Sequence, residues 1–196
     1  MPIRPPEVVL VRHGETEWSR EGKHTGRTDV PLTSAGREQA VALGAALRGH
    51  AFALVLTSTL SRAAETCRLA GLGDVAQERA DLQEWDYGAY EGLTTLEIRE
   101  ERPGWTLWRD GVPGGETAAD VGARADRVIA ELRAAGGDSA VFAHAHLLRV
   151  LAARWLGLDP TEGRLFALDI PTISALGYER EAAVIRLWNT SPHLVG

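Results

Sequence analysis

The sequence predicts an α/β fold: three layers, with a mostly parallel sheet and helices on both faces. Two observations carry this. Short apolar runs rich in β-branched residues alternate with longer stretches of helical periodicity. That alternation is the pattern of β-strands joined by crossover helices, which makes parallel strands and covers both sheet faces.

Taken in chain order, residues 8–11 (VVLV) form the first strand candidate and residues 53–57 the second. Residues 140–143, 174–178 and 184–187 follow. The last two are separated by Gly177 to Ala183, a spacing that suits an antiparallel hairpin. Helices are expected over residues 34–47, 62–70, 94–101, 118–134 and 147–156. Thr33 is a natural N-cap for the first, and Thr117 with Asp120 makes an approximate capping box for the fourth. Gly136-Gly137 supplies its stop signal. With 196 residues, no repeat and no linker-like stretch, one domain over residues 1–196 is expected.

Composition narrows the function classes. Hydrophobic residues make up 44% and charged residues 24%, as in soluble globular proteins. The formal net charge of −6 argues against nucleic acid or a membrane surface as partner. No apolar run approaches bilayer length, and the N-terminal residues do not read as a signal peptide, so a cytoplasmic protein is expected. Cys67 is the single cysteine, which excludes an intramolecular disulfide; its place in a helical pattern suggests a small core residue. A homodimer is left open. Only Lys23 is a lysine, so an anion site must be built largely from placed arginines.

Three strand candidates run into reactive groups. The first leads to Arg12-His13-Gly14, the second to Ser58 and Arg62, the third to His144-Ala145-His146. In a parallel sheet, ligands gather beyond the carboxyl ends of the strands, so two histidines and two arginines should converge there. Guanidiniums fork onto phosphate oxygens, and an imidazole can attack phosphorus. Such transfer needs mainly positioning and charge stabilisation. Arg12 and Arg62 should also lower the pKa of His13, since each disfavours another cation.

Several motifs, in order, carry a resemblance. LVRHGETEW at 10–18, HTGRTDVPLTSAGREQA at 24–40, TSTLSRAAET at 57–66, LQEWDYGAYEG at 82–92, PGGET at 113–117 and VFAHAHLLRVL at 141–151 span most of the chain. Together they resemble the histidine phosphatase superfamily, which includes the cofactor-dependent phosphoglycerate mutases. The resemblance implies a phosphoglycerate mutase-like fold and a phosphohistidine on His13. Arg12, Arg62 and His144 would hold the phosphoryl group. Glu84 would protonate the leaving alkoxide and later deprotonate the attacking water. Ser19, Thr25, Gly26, Tyr87 and Ala145 would contact substrate or phosphate. Ser19 and Ala145 depart from the family's usual Asn and Gly. No metal and no cofactor are implied, and arginines beside the histidines would oppose a cation.

The branch is read from residues 92–113, which are short, lack lysine and carry Asp110 where a mutase would place an arginine. Asp110 is expected to repel a substrate carboxylate. This favours a phosphatase resembling acid phosphatases and sedoheptulose-1,7-bisphosphatase-like enzymes, acting on small phosphomonoesters such as sugar phosphates. The alternatives are a phosphoglycerate mutase and a non-catalytic phosphate-binding regulator. Trp85, Trp105 and Trp108 are divided between pocket wall and core. His146 is expected to support the pocket, and His24, His50 and His193 to be bystanders.

Overall fold

A computed structural model of the chain describes residues 5–191. Its centre is a six-stranded sheet in the order β3-β2-β4-β1-β5-β6. The strands are β1 (Val8–Arg12), β2 (Leu54–Ser58), β3 (Ala76–Arg79), β4 (Ser139–Ala143), β5 (Ile173–Glu179) and β6 (Ala182–Thr190). The β1/β4, β2/β4 and β2/β3 pairs are parallel, and β1/β5 and β5/β6 are antiparallel. The sheet is therefore mostly parallel, as expected, and the expected terminal hairpin is present.

The helices are α1 (Glu17–Arg20), α2 (Ser34–Ala46), α3 (Ser61–Leu69), α4 (Thr95–Glu101), α5 (Leu107–Asp110), α6 (Ala118–Ala134) and α7 (Ala145–Trp155). Both faces of β1 are buried, and its alternate residues feed different cores. Val9 and Val11 join Leu43 and Leu47 from the region of α2 and Cys67 of α3. Val8 and Leu10 join Val121, Ala125 and Val128 of α6 and Leu147, Leu148 and Leu151 of α7. This two-sided burial explains why β1 reads as an unbroken apolar run. Cys67 is buried in the first of these cores, and burial pushes its thiol up to about 12.

The expected caps are made. Thr33 accepts from the Gly36 N–H, and Thr117 and Asp120 form a reciprocal capping box. Gly136 takes a positive φ just after α6, a conformation that favours glycine. Helix α7 begins two residues earlier than expected, at Ala145, directly after His144. The sequence reading missed β3. Its residues, Ala-Gln-Glu-Arg, lie on the sheet edge with no fully buried side chain. An edge strand held mainly by backbone bonds carries little apolar pattern to detect. Among the described residues, no helix is long and apolar enough to cross a membrane.

Candidate active site

The parallel register makes the site. Arg12, the last residue of β1, lies opposite Ala143, the last of β4. The next residues, His13 and His144, are therefore neighbours, with ring centroids 5.1 Å apart. The His13 N–H donates to the Ala143 carbonyl at 3.1 Å, extending the ladder one step. On the other side of β4, β2 ends at Ser58, whose Oγ lies 2.9 Å from His144 Nε2.

His13 is held by its own turn. Its Nδ1 lies 2.7 Å from the Gly14 carbonyl oxygen. A carbonyl only accepts, so Nδ1 carries the hydrogen and Nε2 keeps its lone pair. Nε2 has no hydrogen-bond partner among the described residues. Gly14 sits where a side chain has no room: a Cβ there would lie 2.3 Å from the Gly36 carbonyl of α2. The Gly14 N–H donates to Thr66 Oγ1 at 3.1 Å, fastening the turn to α3. Burial pushes the His13 pKa well below its usual value, and the charges of Arg62 and Arg12 add to this. The sequence argument had the two arginines right and left out the larger cause.

The two arginines are in different states. Arg62, in the first turn of α3, is fully buried. Its Nε donates to His144 Nδ1 at 3.1 Å, its Nη1 to the Thr28 carbonyl at 3.0 Å, and its Nη2 to the Thr25 and Gly26 carbonyls at 3.1 and 2.9 Å. Accepting at Nδ1 makes His144 a donor at Nε2, toward Ser58. Arg12 instead donates from Nη1 to the Leu168 carbonyl, and its buried Nε has no partner among the described residues. Burial lowers the Arg12 pKa to about 10, so the guanidinium stays charged at neutral pH.

Glu84 sits against the start of α7. Its Oε1 accepts from the N–H groups of Trp85 and Leu147, both at 2.9 Å, and its Oε2 accepts from His146 N–H at 3.0 Å. This leaves the Ala145 N–H, first of the helix, beside the pocket. A cavity of about 170 Å³ opens here, lined by Arg12, His13, Glu84, Tyr87 and Ala145, with Ser19 and Thr25 at its wall.

Comparison with known proteins matches this geometry to a family. Residues 8–191 fit the histidine phosphatase superfamily (branch 1). The chain belongs to that superfamily. It is 41% identical over 194 residues to an acid phosphatase of Mycobacterium tuberculosis, covering 95% of each chain. It is 39% identical over 191 residues to sedoheptulose 1,7-bisphosphatase of Saccharomyces cerevisiae, covering 81% of this chain and 70% of that one. The solved structure of an open reading frame product from Mycobacterium tuberculosis superposes with a TM-score of 0.91 at 38% identity, covering 97% of this chain and all of that one. With relatives this similar named as phosphatases, the chain is a phosphoric monoester hydrolase of the histidine phosphatase type.

Not every expected residue of this histidine phosphatase faces the cavity. Of the ten site residues expected, Arg62, His144 and Gly26 do not line it. Arg62 and His144 are buried behind His13 and bonded to each other. Gly26 is a packing position: a Cβ would lie 2.1 Å from Glu91 Oε1 and 2.4 Å from the Trp85 carbonyl. Ser19 and Thr25 line the cavity, yet their hydroxyls already bond locally, Ser19 to the Thr16 carbonyl at 2.9 Å and Thr25 to the Lys23 carbonyl at 3.2 Å.

Asp110 does not do what the sequence suggested. It lies outside the cavity lining, accepts from the Thr106 N–H at 2.7 Å and pairs with Arg109 at 2.8 Å. A carboxylate engaged in this way and outside the pocket does not set its charge. The phosphatase assignment stands on the relatives instead.

Two residues of the outer wall, His24 and Lys23, were missed. His24 is no bystander: it lines the cavity, and its ring lies 4.8 Å from Tyr87 and 6.3 Å from His146. Burial lowers its pKa. Lys23 also lines the cavity, paired with Glu21 at 2.6 Å. Their position just before Thr25-Gly26 was the available signal. His146 supports the wall as expected, its Nδ1 2.6 Å from the Tyr87 hydroxyl. Trp85 and Trp105 are core, whereas Trp108 is partly buried and lies 5.4 Å from His146. Two supports left no local trace. Arg124 of α6 donates to the Asp81 and Gln83 carbonyls at 2.7 and 2.9 Å, bracing the segment before Glu84. Glu91 accepts from the Arg27 and Thr28 N–H groups at 3.0 and 3.3 Å. His50 is exposed and far from the site's lining, as expected. His193 lies outside the described residues.

Among the described residues, no group of three or more His, Cys, Asp or Glu is arranged to hold a metal ion.

Proposed function

We propose that this chain hydrolyses small phosphomonoesters, sugar phosphates among them, by passing the phosphoryl group through Nε2 of His13. The observation that carries the reading is the His13 bond to the Gly14 carbonyl, which leaves Nε2 as a free lone pair at the wall of a cation-lined cavity. A nucleophilic imidazole must be neutral, and the lowered His13 pKa serves that need.

In the first step the His13 Nε2 lone pair forms a bond to phosphorus and the P–O ester bond breaks. The leaving oxygen takes a proton from Glu84. In the second step water attacks the phosphohistidine, gives a proton back to Glu84, and the P–N bond breaks to release phosphate and neutral His13. Arg12, which lines the cavity and whose buried Nε has no partner among the described residues, and the Ala145 N–H are the donors for the phosphoryl oxygens. Arg62 supplies charge from behind, and with His144 it holds the loop and the rings in place. One phosphate oxygen could replace Ser58 as the partner of His144 Nε2.

The yeast and mycobacterial relatives support small phosphorylated substrates by their names. The proposal includes a single domain, a cytoplasmic location and catalysis without a metal ion, since Arg12 and Arg62 beside the two histidines disfavour a bound cation. The test is Glu84→Gln assayed on an alkyl phosphate and on p-nitrophenyl phosphate. The alkyl substrate should lose far more, because nitrophenolate leaves without a proton. Equal losses would remove Glu84 from the role of proton donor.

A further inference from the structure

One ring on the cavity wall has no part in the scheme above. His146 is the second residue of α7, and it lines the cavity. Its backbone N–H donates to Glu84 Oε2 at 3.0 Å, so the ring belongs to a residue that holds the proposed acid. The ring is braced by aromatic neighbours. Tyr87 and Trp85 meet it nearly at right angles, with centroids 5.8 and 6.4 Å away, and Trp108 lies at 5.4 Å. The Tyr87 hydroxyl is 2.6 Å from its Nδ1.

That bond decides which ring nitrogen carries the hydrogen. Tyr87 is buried, and burial holds its phenol well above the usual pKa, so the hydroxyl keeps its hydrogen. That hydrogen has no other acceptor among the described residues, so the hydroxyl donates to Nδ1. Burial, aided by the charges of Arg149, His24 and Arg12, holds the His146 pKa well below its usual value, so the ring is neutral. A neutral imidazole that accepts at Nδ1 carries its hydrogen on Nε2. Nε2 has no hydrogen-bond partner among the described residues and is not sealed from solvent. The wall thus offers an uncharged N–H donor next to the acid. Arg12 outcompetes such a donor for a phosphate oxygen, because charge-assisted bonds are the stronger ones. An uncharged oxygen acceptor suits it.

We propose that His146 Nε2–H donates to a hydroxyl oxygen on the substrate's leaving group, near the ester oxygen, an inference that rests on the phosphatase reading above. His146 is then a specificity-determining residue, and Tyr87 is a positioning residue that acts through it. The enzyme selects polyol phosphates over alkyl phosphates of the same length. An alkyl leaving group would cover the donor without pairing it, and an unpaired buried donor is costly.

The experiment measures kcat/KM for glycerol 1-phosphate, n-propyl phosphate and p-nitrophenyl phosphate, with the wild type, His146→Phe, His146→Gln and Tyr87→Phe. The ratio for glycerol 1-phosphate over propyl phosphate should be about fivefold in the wild type, the scale of one hydrogen bond between uncharged groups. It should fall to near one in His146→Phe, which keeps a ring and loses both nitrogens. His146→Gln, which restores an N–H donor, should recover part of it. Tyr87→Phe no longer fixes the hydrogen on Nε2, so its ratio should fall part of the way, and it carries the test if His146→Phe fails to fold. The wild-type ratio should hold as salt is raised, since the contact is uncharged. A wild-type ratio near one, a ratio that collapses with salt, or substitutions that slow both esters equally would overturn the donor role alone. So would a wild type that cleaves p-nitrophenyl phosphate and neither alkyl ester. A wild type that hydrolyses none of the three would overturn the phosphatase reading and this inference with it.

Discussion

The inner and outer walls of the cavity are built on different principles. The inner wall comes from the end of β1, where Arg12 and His13 line the cavity, backed by Ser58, Arg62 and His144 from the ends of β2 and β4 and the first turn of α3, which do not line it. These groups are mostly buried, and their polar atoms are bonded chiefly to one another and to nearby carbonyls. The outer wall comes from α1, loops and the start of α7: Ser19, Lys23, His24, Tyr87 and His146. It is aromatic, held by side chains far apart in sequence, and partly open. The contrast teaches that the chemistry is set by a rigid register, while the choice of substrate belongs to loops that can vary around it.

The largest expected effect lies at the centre of the inner wall. His13→Ala should reduce turnover by more than the roughly 10²–10³-fold typical of losing one stabilising donor, because the nucleophile itself is gone. The variant should keep the wild-type circular dichroism spectrum. Acid quenching with labelled substrate should mark histidine in the wild type and nothing in the variant. Turnover at a few per cent of wild type would break the assignment.

Next come the two arginines, which differ in what they hold. Arg62→Met strips four hydrogen bonds from buried or half-buried partners. It should cost about 3 kcal/mol of stability in urea as well as activity. Arg12→Met should lose activity with a smaller stability change, since its Nε has no partner to abandon. Equal stability losses would erase the distinction between them. Arg12→Met should also raise the low-pH limb of kcat/KM, because Arg12 helps hold the His13 pKa down. An unmoved limb would assign that limb to another group.

The same histidines tie stability to pH. His13, His144 and His146 all have depressed pKa values, each chiefly through burial. Above the unfolded value of about 6.5 both states are neutral, and the stability is fully present. Below it the unfolded chain binds more protons, so stability falls as pH drops toward the folded pKa values. The slope is about 1.4 kcal/mol per pH unit for each histidine involved. Urea unfolding between pH 7.5 and 5.5 measures it, and a flat profile would mean these rings titrate normally.

The smallest effect belongs to the outer wall. Tyr87→Phe removes the hydroxyl bonded to His146, and about 1 kcal/mol of stability should go with it. Its effect on kcat/KM should vary with the leaving group, whereas His13→Ala should slow every substrate. A uniform loss across substrates would move Tyr87 into the chemistry and blur the two walls.

Much was legible in the chain itself. The apolar runs at β1 and β4, each strand followed by a histidine, disclose both the strands and their cargo, because a strand buried on both faces must be apolar throughout. Thr33 and Thr117 announce the starts of α2 and α6, since capping is a contact over three residues. Spacing and local pattern thus settled the order of the main elements, though not of β3, α1 or α5, the edge of the sheet where the chemistry gathers, and the identity of His13, Arg12, Arg62 and His144 as the groups gathered there. Only the tertiary structure decided which donors are free. That Arg62 is tied to carbonyls 34 to 37 residues away while Arg12 Nε is open is fixed by long-range contacts that no local pattern encodes. The same holds for His24 joining the wall, for Asp110 leaving it, and for β3, whose polar residues are strand only because β2 offers an unpaired edge beside them.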